Sequence, residues 1–265
     1  MSQRVIFSIS SDFGIALANS WLNAGFQVAG TFRTYSKKLD ELVSKGAILY
    51  QCDLSISQEI NEICKKFNET PWEVLCVAPA SLDPIGEFIK TDFDEWESSI
   101  SLNFTSQMRI IHQMMPGRDI NYENGPVVIL FAGGGTNNAT VNYSAYTVSK
   151  IAQIKMTELL DAEIPDTRFA IIGPGWVKTK IHDSTIKAGS AAGYNYEKTK
   201  EKLSEMNYDT TLEKVVECCN WVIHSRREIV SGRNFSLVYD KWGEKELDEV
   251  LLLDRNMYKL RRQGN

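Results

Sequence analysis

A tyrosine and a lysine four residues apart, Tyr146 and Lys150, are the residues of this sequence best suited to acid–base chemistry. They open an apolar stretch that reads as a helix, and residues i and i+4 share one face of a helix. The ammonium would then lie beside the phenol and lower the tyrosine pKa from about 10 towards the working pH. Such a phenol can give a proton to a carbonyl oxygen or take one from an alcohol.

The same spacing occurs twice more, in the pairs Tyr194/Lys198 and Tyr196/Lys200. Those pairs lie in a polar stretch, whereas Tyr146 follows an apolar strand and a glycine-rich turn. We therefore interpret Tyr146 and Lys150 as the catalytic pair, and a purely structural tyrosine is the alternative.

Strand and helix patterns alternate along the chain and must position this pair. Short β-branched runs predict strands at 5–10, 27–32, 47–52, 73–78, 126–132, 168–173 and 234–239. Helical patterns fall at 15–25, 37–45, 57–68, 93–115 and 144–162. The strand at 127–131 is apolar at every residue, which is typical of strands covered on both faces. The predicted fold class is α/β, a single-domain doubly wound parallel sheet with about seven strands and helices on both faces.

In such a sheet the ligand lies beyond the carboxyl ends of the strands, where the strand order reverses. The turn after the first strand, residues 9–16, resembles the Gly-x-x-x-Gly-x-Gly turn of the short-chain dehydrogenase/reductase family. In that turn, backbone amides approach a pyrophosphate at a helix N-terminus. Of the three glycines only the middle one, Gly14, is present, while Ser10 and Ala16 stand at the outer positions.

The resemblance extends over most of the chain. Asp53 follows the third strand, Asn103 lies in a helical stretch, Tyr146 and Lys150 match Tyr-x-x-x-Lys, and the segment 172–179 matches a Pro-Gly motif. The segment 231–238 resembles the last strand of the family. The resemblance implies a Rossmann-like NAD(P)-binding domain over residues 1–265. It also implies an oxidoreductase that interconverts a carbonyl and an alcohol on a small polar substrate.

The resemblance further implies a role for each matching residue. Tyr146 would be the acid/base, and Lys150 its electrostatic partner and a ligand of the nicotinamide ribose. Asn103 would position a water next to Lys150, and Asp53 would contact the adenine ring. The remaining residues expected to bind the cofactor are Ser10, Gly14, Ile15, Pro174, Gly175 and Thr179.

The residues after the second strand bear on the choice of cofactor. An NAD-selective site places a carboxylate there, against the ribose 2′-hydroxyl. This sequence has Arg33 instead, with Lys37 and Lys38 close behind. A cation at that point suits a 2′-phosphate, so NADP(H) is favoured and NAD(H) is the alternative. The competing interpretation is that Arg33 is a solvated residue at the start of a loop.

Two segments depart from the family pattern. Gly133 stands where the family has a serine that donates a hydrogen bond to the substrate oxygen, and removing one such donor costs about 10²–10³ in rate. Gly133, Thr136 and Asn137 are the candidate substrate residues, and Thr136, Asn137 or Asn138 could replace the missing donor. The second departure is at 77–80, where Val-Ala-Pro-Ala replaces Asn-Asn-Ala-Gly.

These departures leave two alternatives to an enzyme: a dinucleotide-binding sensor or subunit with little turnover, and a protein that keeps the fold without the nucleotide. The glycines at 133–135 could leave space for a bulky substrate, or mark a site released from catalysis. Residues of about 180–210 are expected to form a substrate cover, with a surface helix and loop as the alternative. Residues 241–265 form a C-terminal extension. The resemblance also implies a homodimer or homotetramer.

Composition excludes several other classes. The net charge of −5 gives no basic face for nucleic acid, and no apolar run approaches the 18 residues of a membrane span. The five cysteines lack CxxC spacing and the three histidines lie far apart, so neither disulfides nor a metal site is expected. No signal peptide is recognised. The expectation is a cytoplasmic protein with reduced thiols that acts on a small molecule.

Overall fold

The computed structural model describes residues 2–206 and 208–262. These residues contain one sheet of seven parallel strands in the order β3-β2-β1-β4-β5-β6-β7. The strands are β1 (Gln3–Phe7), β2 (Gln27–Phe32), β3 (Ile48–Gln51), β4 (Trp72–Val77), β5 (Val127–Phe131), β6 (Arg168–Gly173) and β7 (Arg233–Ser236). Strand order reverses between β1 and β4, so the predicted doubly wound sheet is confirmed and its ligand crevice is placed at that junction.

Helices cover both faces of the sheet. They are α1 (Asp12–Asn23), α2 (Lys38–Ser44), α3 (Ser57–Phe67), α4 (Phe93–Ile100), α5 (Ser106–Met114), α6 (Ser144–Glu163), α7 (Ile181–Ala188), α8 (Tyr194–Glu205), α9 (Leu212–His224), α10 (Arg227–Val230) and α11 (Lys245–Leu253). One core layer contains apolar side chains of α1, α2 and α9, and the other contains those of α3, α5 and α6. The sheet therefore has an apolar core on each side.

The all-apolar sequence of β5 follows from its central position. Val127, Ile129 and Phe131 belong to one core layer, and Val128 and Leu130 belong to the other. Successive side chains of a strand point to opposite faces, so a strand covered on both faces must be apolar throughout. Full burial of each such side chain contributes about 1.5–3 kcal/mol.

Two predicted helices differ in detail from the structure. α1 begins at Asp12 rather than at residue 15, because Ser11 caps it by accepting a hydrogen bond from the Gly14 N–H at 3.0 Å. The helix predicted over 93–115 is interrupted by a π-helical turn, Ser101–Thr105, between α4 and α5. Asn103 lies in this turn with its side chain bonded to the backbone of Ser81, and π-turns are frequent at functional sites.

Two further expectations concern the cysteines and membrane-spanning helices. All five cysteines are buried, and none of them is in a disulfide bond. Among the helices of residues 2–206 and 208–262, none has both the length and the apolar character that crossing a bilayer requires.

Candidate active site

A cleft of about 1320 Å³ lies at the carboxyl ends of the strands, across the point where their order reverses. Pockets for drug-sized ligands have about 300–1000 Å³. The cleft therefore has room for a dinucleotide and a substrate together. Most of the predicted cofactor residues line its wall: Ser10, Arg33, Asp53, Tyr146, Lys150, Pro174, Gly175 and Thr179.

The first turn brings different residues to the cleft from those that the motif predicts. Ser10 lines it together with Ser11, Asp12 and Phe13. Gly14 is buried behind the turn, where a Cβ would lie 2.5 Å from the Ser8 carbonyl oxygen. This close approach explains why the middle glycine is present although the other two are absent.

Ile15 is the second predicted residue of this turn that does not line the cleft. Its side chain belongs to a shallow groove between α1 and α9, next to Leu212 and Val216. At this turn residues 10–13 therefore line the cleft, and Gly14 and Ile15 do not.

A cation and a carboxylate stand at the ends of the neighbouring strands β2 and β3. Arg33 is exposed and lines the cleft, and Asp53 lines it one strand further out. The N–H and hydroxyl of Ser55 donate to Asp53 Oδ1 at 2.9 and 2.7 Å. These bonds, with a smaller contribution from Arg33, hold the pKa of Asp53 below its usual value. This end of the cleft therefore presents one fixed negative and one fixed positive charge.

Tyr146 and Lys150 lie together in the cleft, on successive turns of α6. Lys150 Nζ is 5.8 Å from the centre of the Tyr146 ring. Burial lowers the pKa of Lys150 to about 7 and raises the pKa of Tyr146 to about 12. The direction for the phenol is opposite to the one predicted, because burial raises its pKa and also disfavours the charge on Lys150 that was expected to lower it.

Tyr146 also fills the space beside Gly133. A Cβ at Gly133 would lie 2.5 Å from the phenolic oxygen of Tyr146, so the ring packs directly on the glycine backbone. The sequence left open whether the glycines give space to a substrate, and at Gly133 that space belongs to the tyrosine. Gly133, Thr136, Asn137 and Asn138 all line the cleft, so a hydroxyl and two amides are available on its wall.

Asn103 lies behind the cleft wall rather than in it. Its side chain accepts from the Ser81 N–H at 2.9 Å and donates to the Ser81 carbonyl at 2.8 Å. Its own carbonyl accepts from Gln153 Nε2 at 2.8 Å, and Gln153 Oε1 in turn accepts from Lys150 Nζ at 3.2 Å. Sequence reasoning missed Gln153. The available signal was a polar residue on the apolar face of α6, three positions after Lys150.

The region of the predicted cover is tied to the loop after β6 through an aromatic stack. The ring of Trp176 stacks on His182 at 3.9 Å and on Tyr208 at 5.5 Å. Asp209 accepts from the backbone N–H of Trp176 at 2.9 Å and pairs with Lys202 of α8. Sequence reasoning did not identify this cluster, since its members lie up to 33 residues apart.

The two other Tyr-x-x-x-Lys pairs belong to α8 and lie outside the cleft. Lys200 pairs with Glu197, and its ammonium lies 5.1 Å from the centre of the Tyr196 ring. Tyr194 is 78% exposed. In the part of the chain that the structure describes, no group of three or more His, Cys, Asp and Glu side chains is placed to hold a metal ion.

Comparison with known proteins extends the motif resemblance to the whole fold. The model of the family described as short chain dehydrogenase matches residues 5–189, which is more than half of the chain. The chain belongs to this family. As a short-chain dehydrogenase it has Tyr146 and Lys150 of the family motif side by side in its cleft.

Individual relatives of this short-chain dehydrogenase are distant. The 3-ketodihydrosphingosine reductase TSC10 of Candida glabrata is 25% identical over 187 residues, which is 63% of this chain and 49% of that protein. The chain spans about half the length of the curated relatives it matches.

Solved structures match over more of the chain. The short-chain dehydrogenase/reductase YIR035C of Saccharomyces cerevisiae has a TM-score of 0.79 at 14% identity and covers 94% of this chain and 99% of its own. An actinorhodin polyketide ketoreductase solved with NADPH has a TM-score of 0.76 at 19% identity, with 89% and 95% covered. These matches confirm the fold.

Proposed function

We propose that this protein is an NADP(H)-dependent reductase that interconverts a carbonyl and an alcohol on a small polar substrate. The observation that carries the proposal is the adjacency of Tyr146 and Lys150 on the wall of a cleft at the strand-order reversal. When bound, the dinucleotide supplies or accepts a hydride. Reduction is the favoured direction if NADPH is the cofactor, and burial keeps the Tyr146 phenol protonated before the reaction.

Each of these residues would have a separate role in the reaction. In reduction the substrate carbonyl carbon gains the hydride, and its oxygen takes the proton of the Tyr146 hydroxyl, so that an alcohol and a phenolate result. Lys150 stabilises that phenolate when it is charged. Thr136 and Asn137 on the cleft wall supply polar groups for the substrate oxygen in place of the serine that Gly133 replaces.

The residues at the adenosine end and in the middle of the cleft would suit a nicotinamide dinucleotide. Arg33 would hold a 2′-phosphate, and Asp53 would face the adenine ring. Ser10, Gly175 and Thr179 would hold the middle of the cofactor. NADPH is bound in the structure of the ketoreductase named above, which supports NADP(H) over NAD(H) for this chain.

A dinucleotide-binding sensor or subunit with little turnover is the second candidate. The observation that favours it is Gly133, which places no hydroxyl beside Tyr146. Under either function we propose a cytoplasmic protein that forms a homodimer or homotetramer, as the family resemblance implies, with residues 180–210 as its substrate cover.

Tyr146→Phe tests the catalytic assignment. We expect NADPH to quench or enhance the fluorescence of the wild-type tryptophans at saturable concentration, and the variant to bind it within about twofold. Turnover of a panel of aldehydes and ketones should fall at least about 100-fold, because the variant lacks the proton donor. Tyr50→Phe, which removes a hydroxyl of β3 that does not line the cleft, is the matched control and should keep full activity.

The outcomes separate the candidate functions. Turnover that survives Tyr146→Phe would refute the mechanism. Saturable NADPH binding without turnover of any carbonyl by the wild type would favour the sensor. Failure of both NADPH and NADH to bind, in fluorescence and in calorimetry, would eliminate both functions.

Arg33→Ala tests the cofactor preference. The guanidinium would hydrogen-bond a 2′-phosphate, and a bond to a charged group is worth about 1.5–3 kcal/mol, or about 10–100-fold. The Kd for NADPH should rise by that factor, while the Kd for NADH stays unchanged. Lys38→Ala, a nearby cation that faces the α1–α9 groove, is the control. Equal effects of Arg33→Ala on both cofactors would contradict the assignment.

A further inference from the structure

A series of buried hydrogen bonds leads away from Lys150 behind the cleft. Lys150 Nζ donates to the Phe131 carbonyl at 2.9 Å and to Gln153 Oε1 at 3.2 Å. Gln153 Nε2 donates to the Asn103 carbonyl and to Gln107 Oε1. Lys150 is 2% exposed, and Gln153 and Gln107 are fully buried. The ammonium is therefore held between two neutral oxygens in a site away from water.

Backbone carbonyls determine which way the two glutamine amides point. Gln107 Nε2 donates to the Pro79 carbonyl at 2.9 Å, and Gln153 Nε2 donates to the Asn103 carbonyl at 2.8 Å. A carbonyl oxygen can only accept, so the NH₂ group of each amide must face it. The oxygen of Gln153 is then left to face Lys150. A flipped amide would lose its bond to Asn103 and place NH₂ against an ammonium.

Glutamine is an unfavourable residue at position 153 unless its amide has a specific role. Gln153 lies on the buried face of α6, between Lys150 and the π-turn, and a buried amide costs free energy unless both its ends are hydrogen-bonded. Leucine would fill a similar volume without that requirement. Both ends of the Gln153 amide are bonded, and one of its partners is the catalytic lysine.

We propose that Gln153 is a positioning residue whose amide oxygen holds the Lys150 ammonium beside Tyr146 and links it to the Asn103 carbonyl. The family resemblance assigns this link to a water that Asn103 positions. A side-chain amide lacks the O–H group with which water passes on a proton, so Gln153 is a fixed support for the charge. The inference rests on the proposed function, because Lys150 matters as the partner of the Tyr146 phenol.

The surroundings of Lys150 make its titration a direct readout. Its own helix contributes the Tyr146 ring, β5 contributes the Phe131 carbonyl, and the π-turn contributes the Asn103 carbonyl through Gln153. Burial shifts the pKa of Lys150, and no charged side chain among the described residues contributes to that shift. A charge or an apolar group placed at residue 153 therefore acts on an otherwise neutral environment.

Gln153→Leu and Gln153→Glu test the proposal with opposite expected results. The Lys150 side chain is titrated by NMR in cofactor-free protein labelled with carbon-13 lysine, and its resonance is assigned with Lys150→Arg. Loss of the accepting oxygen in Gln153→Leu should lower the Lys150 pKa by about one unit, and the carboxylate of Gln153→Glu should raise it by at least about one unit. Thr157→Val, a buried polar-to-apolar change one turn further along α6, should leave it unchanged.

The same variants are expected to move the kinetics in parallel. The charged lysine supports turnover, so the basic limb of the kcat profile should shift to lower pH in Gln153→Leu and to higher pH in Gln153→Glu. For Gln153→Leu, kcat should fall about tenfold while the KM of the carbonyl changes less than about twofold. A residue with only a packing role would not shift the basic limb in opposite directions.

The outcomes distinguish this inference from the proposed function. If the wild type reduces no carbonyl, the proposed function fails, and the NMR titrations still decide the role of Gln153. Unchanged Lys150 pKa values, or shifts of the same sign in both variants, would overturn the inference. If the buried carboxylate prevents folding, Gln153→Met replaces it and should lower the Lys150 pKa as Gln153→Leu does; an unchanged pKa in Gln153→Met would overturn the inference.

Discussion

Tyr146 and Lys150 share one helix face, and burial acts on the two groups in opposite directions. It makes the phenol a weaker acid and the ammonium a stronger one, with pKa values of about 12 and about 7. A neighbouring cation would lower the pKa of the phenol, but near neutral pH the lysine is only partly charged. At the scale of single residues, the cost of desolvation therefore sets the charge state of the pair.

Lys150→Met is expected to stabilise the fold while it removes activity. Burial lowers the folded-state pKa of Lys150 from 10.5 to about 7, so between these values the unfolded chain binds the proton more tightly. The contribution of Lys150 to the free energy of unfolding then rises as the pH increases from about 7 to 10, by up to about 1.4 kcal/mol per unit. Lys150→Met lacks this contribution and should be more stable than the wild type at pH 7.

Urea unfolding between pH 7 and 9.5 measures this contribution as the difference in slope between the wild type and Lys150→Met, because the five buried thiols titrate in both proteins. Lys65→Met removes an exposed lysine of α3 and serves as the control, with the same pH dependence as the wild type. A wild-type slope equal to that of Lys150→Met would show that burial of the ammonium has no cost in the folded protein.

At the scale of elements, Trp176 joins the loop after β6 to the proposed substrate cover, residues 180–210. Its ring stacks on His182 of α7 and on Tyr208 after α8, and its backbone N–H donates to Asp209. The same loop contributes Pro174 and Gly175 to the cleft wall. Any movement of the cover away from the cleft must break these contacts.

Trp176→Ala should loosen the cover without unfolding the sheet. Each aromatic pair contributes about 0.5–1.5 kcal/mol, so the loss of two pairs should increase local opening by about tenfold. Limited trypsin digestion measures this as faster cleavage at the exposed Lys198 and Lys200 of α8. Tyr194→Ala, an exposed aromatic change in the same helix, should leave the rate unchanged. Equal rates in all three proteins would contradict a clamp at Trp176.

At the scale of the whole molecule, the edge formed by the carboxyl ends of the strands and the edge formed by their amino ends have different roles. The carboxyl edge forms the cleft, and the amino edge contains three buried arginines at the start of β1, β6 and β7, each at most 3% exposed. Arg4 pairs with Glu73 of β4 at 2.8 Å. Arg168 donates to carbonyls at the end of α9, and Arg233 to carbonyls of Leu251, Asp254 and Met257. These arginines fasten distant segments to the sheet.

Arg233→Met should destabilise the protein by about 3 kcal/mol, because it leaves several carbonyls of the C-terminal segment without their donor. Arg255→Met, which removes an exposed guanidinium from the same segment, should cost at most about 0.5 kcal/mol. Urea unfolding of both variants at pH 7 measures the difference. Equal losses would show that the buried guanidinium is not what attaches the C-terminal segment.

Much of this architecture could be predicted, because its causes are local. Alternation of β-branched runs with helical periodicity gave the parallel sheet, and β6 begins and ends where its pattern does. Tyr146 and Lys150 were identified from their spacing and from the strand and turn before them. The strands predicted over 5–10 and 234–239 lie over Gln3–Phe7 and Arg233–Ser236 instead. The boundaries that moved at α1 and at the π-turn depend on the hydrogen bonds of Ser11 and Asn103.

The rest depends on contacts between segments far apart in the chain. Gln153 gains its role from the Asn103 carbonyl 50 residues away, and Trp176 from Asp209 33 residues away. Gly14 and Ile15 fit the motif by position, but the packing of α1 turns them away from the cleft. No pattern within one helix or strand contains this information.

The amino-acid sequence by itself determined the doubly wound sheet and the pairing of a phenol with an ammonium on one helix face, because periodicity and i, i+4 spacing act over a few residues. Only the tertiary structure decided how deeply that pair is buried, which side chains hold the lysine, and that the Tyr146 ring packs against Gly133. The physical reason is that desolvation and hydrogen bonding depend on which distant segments exclude water from a group.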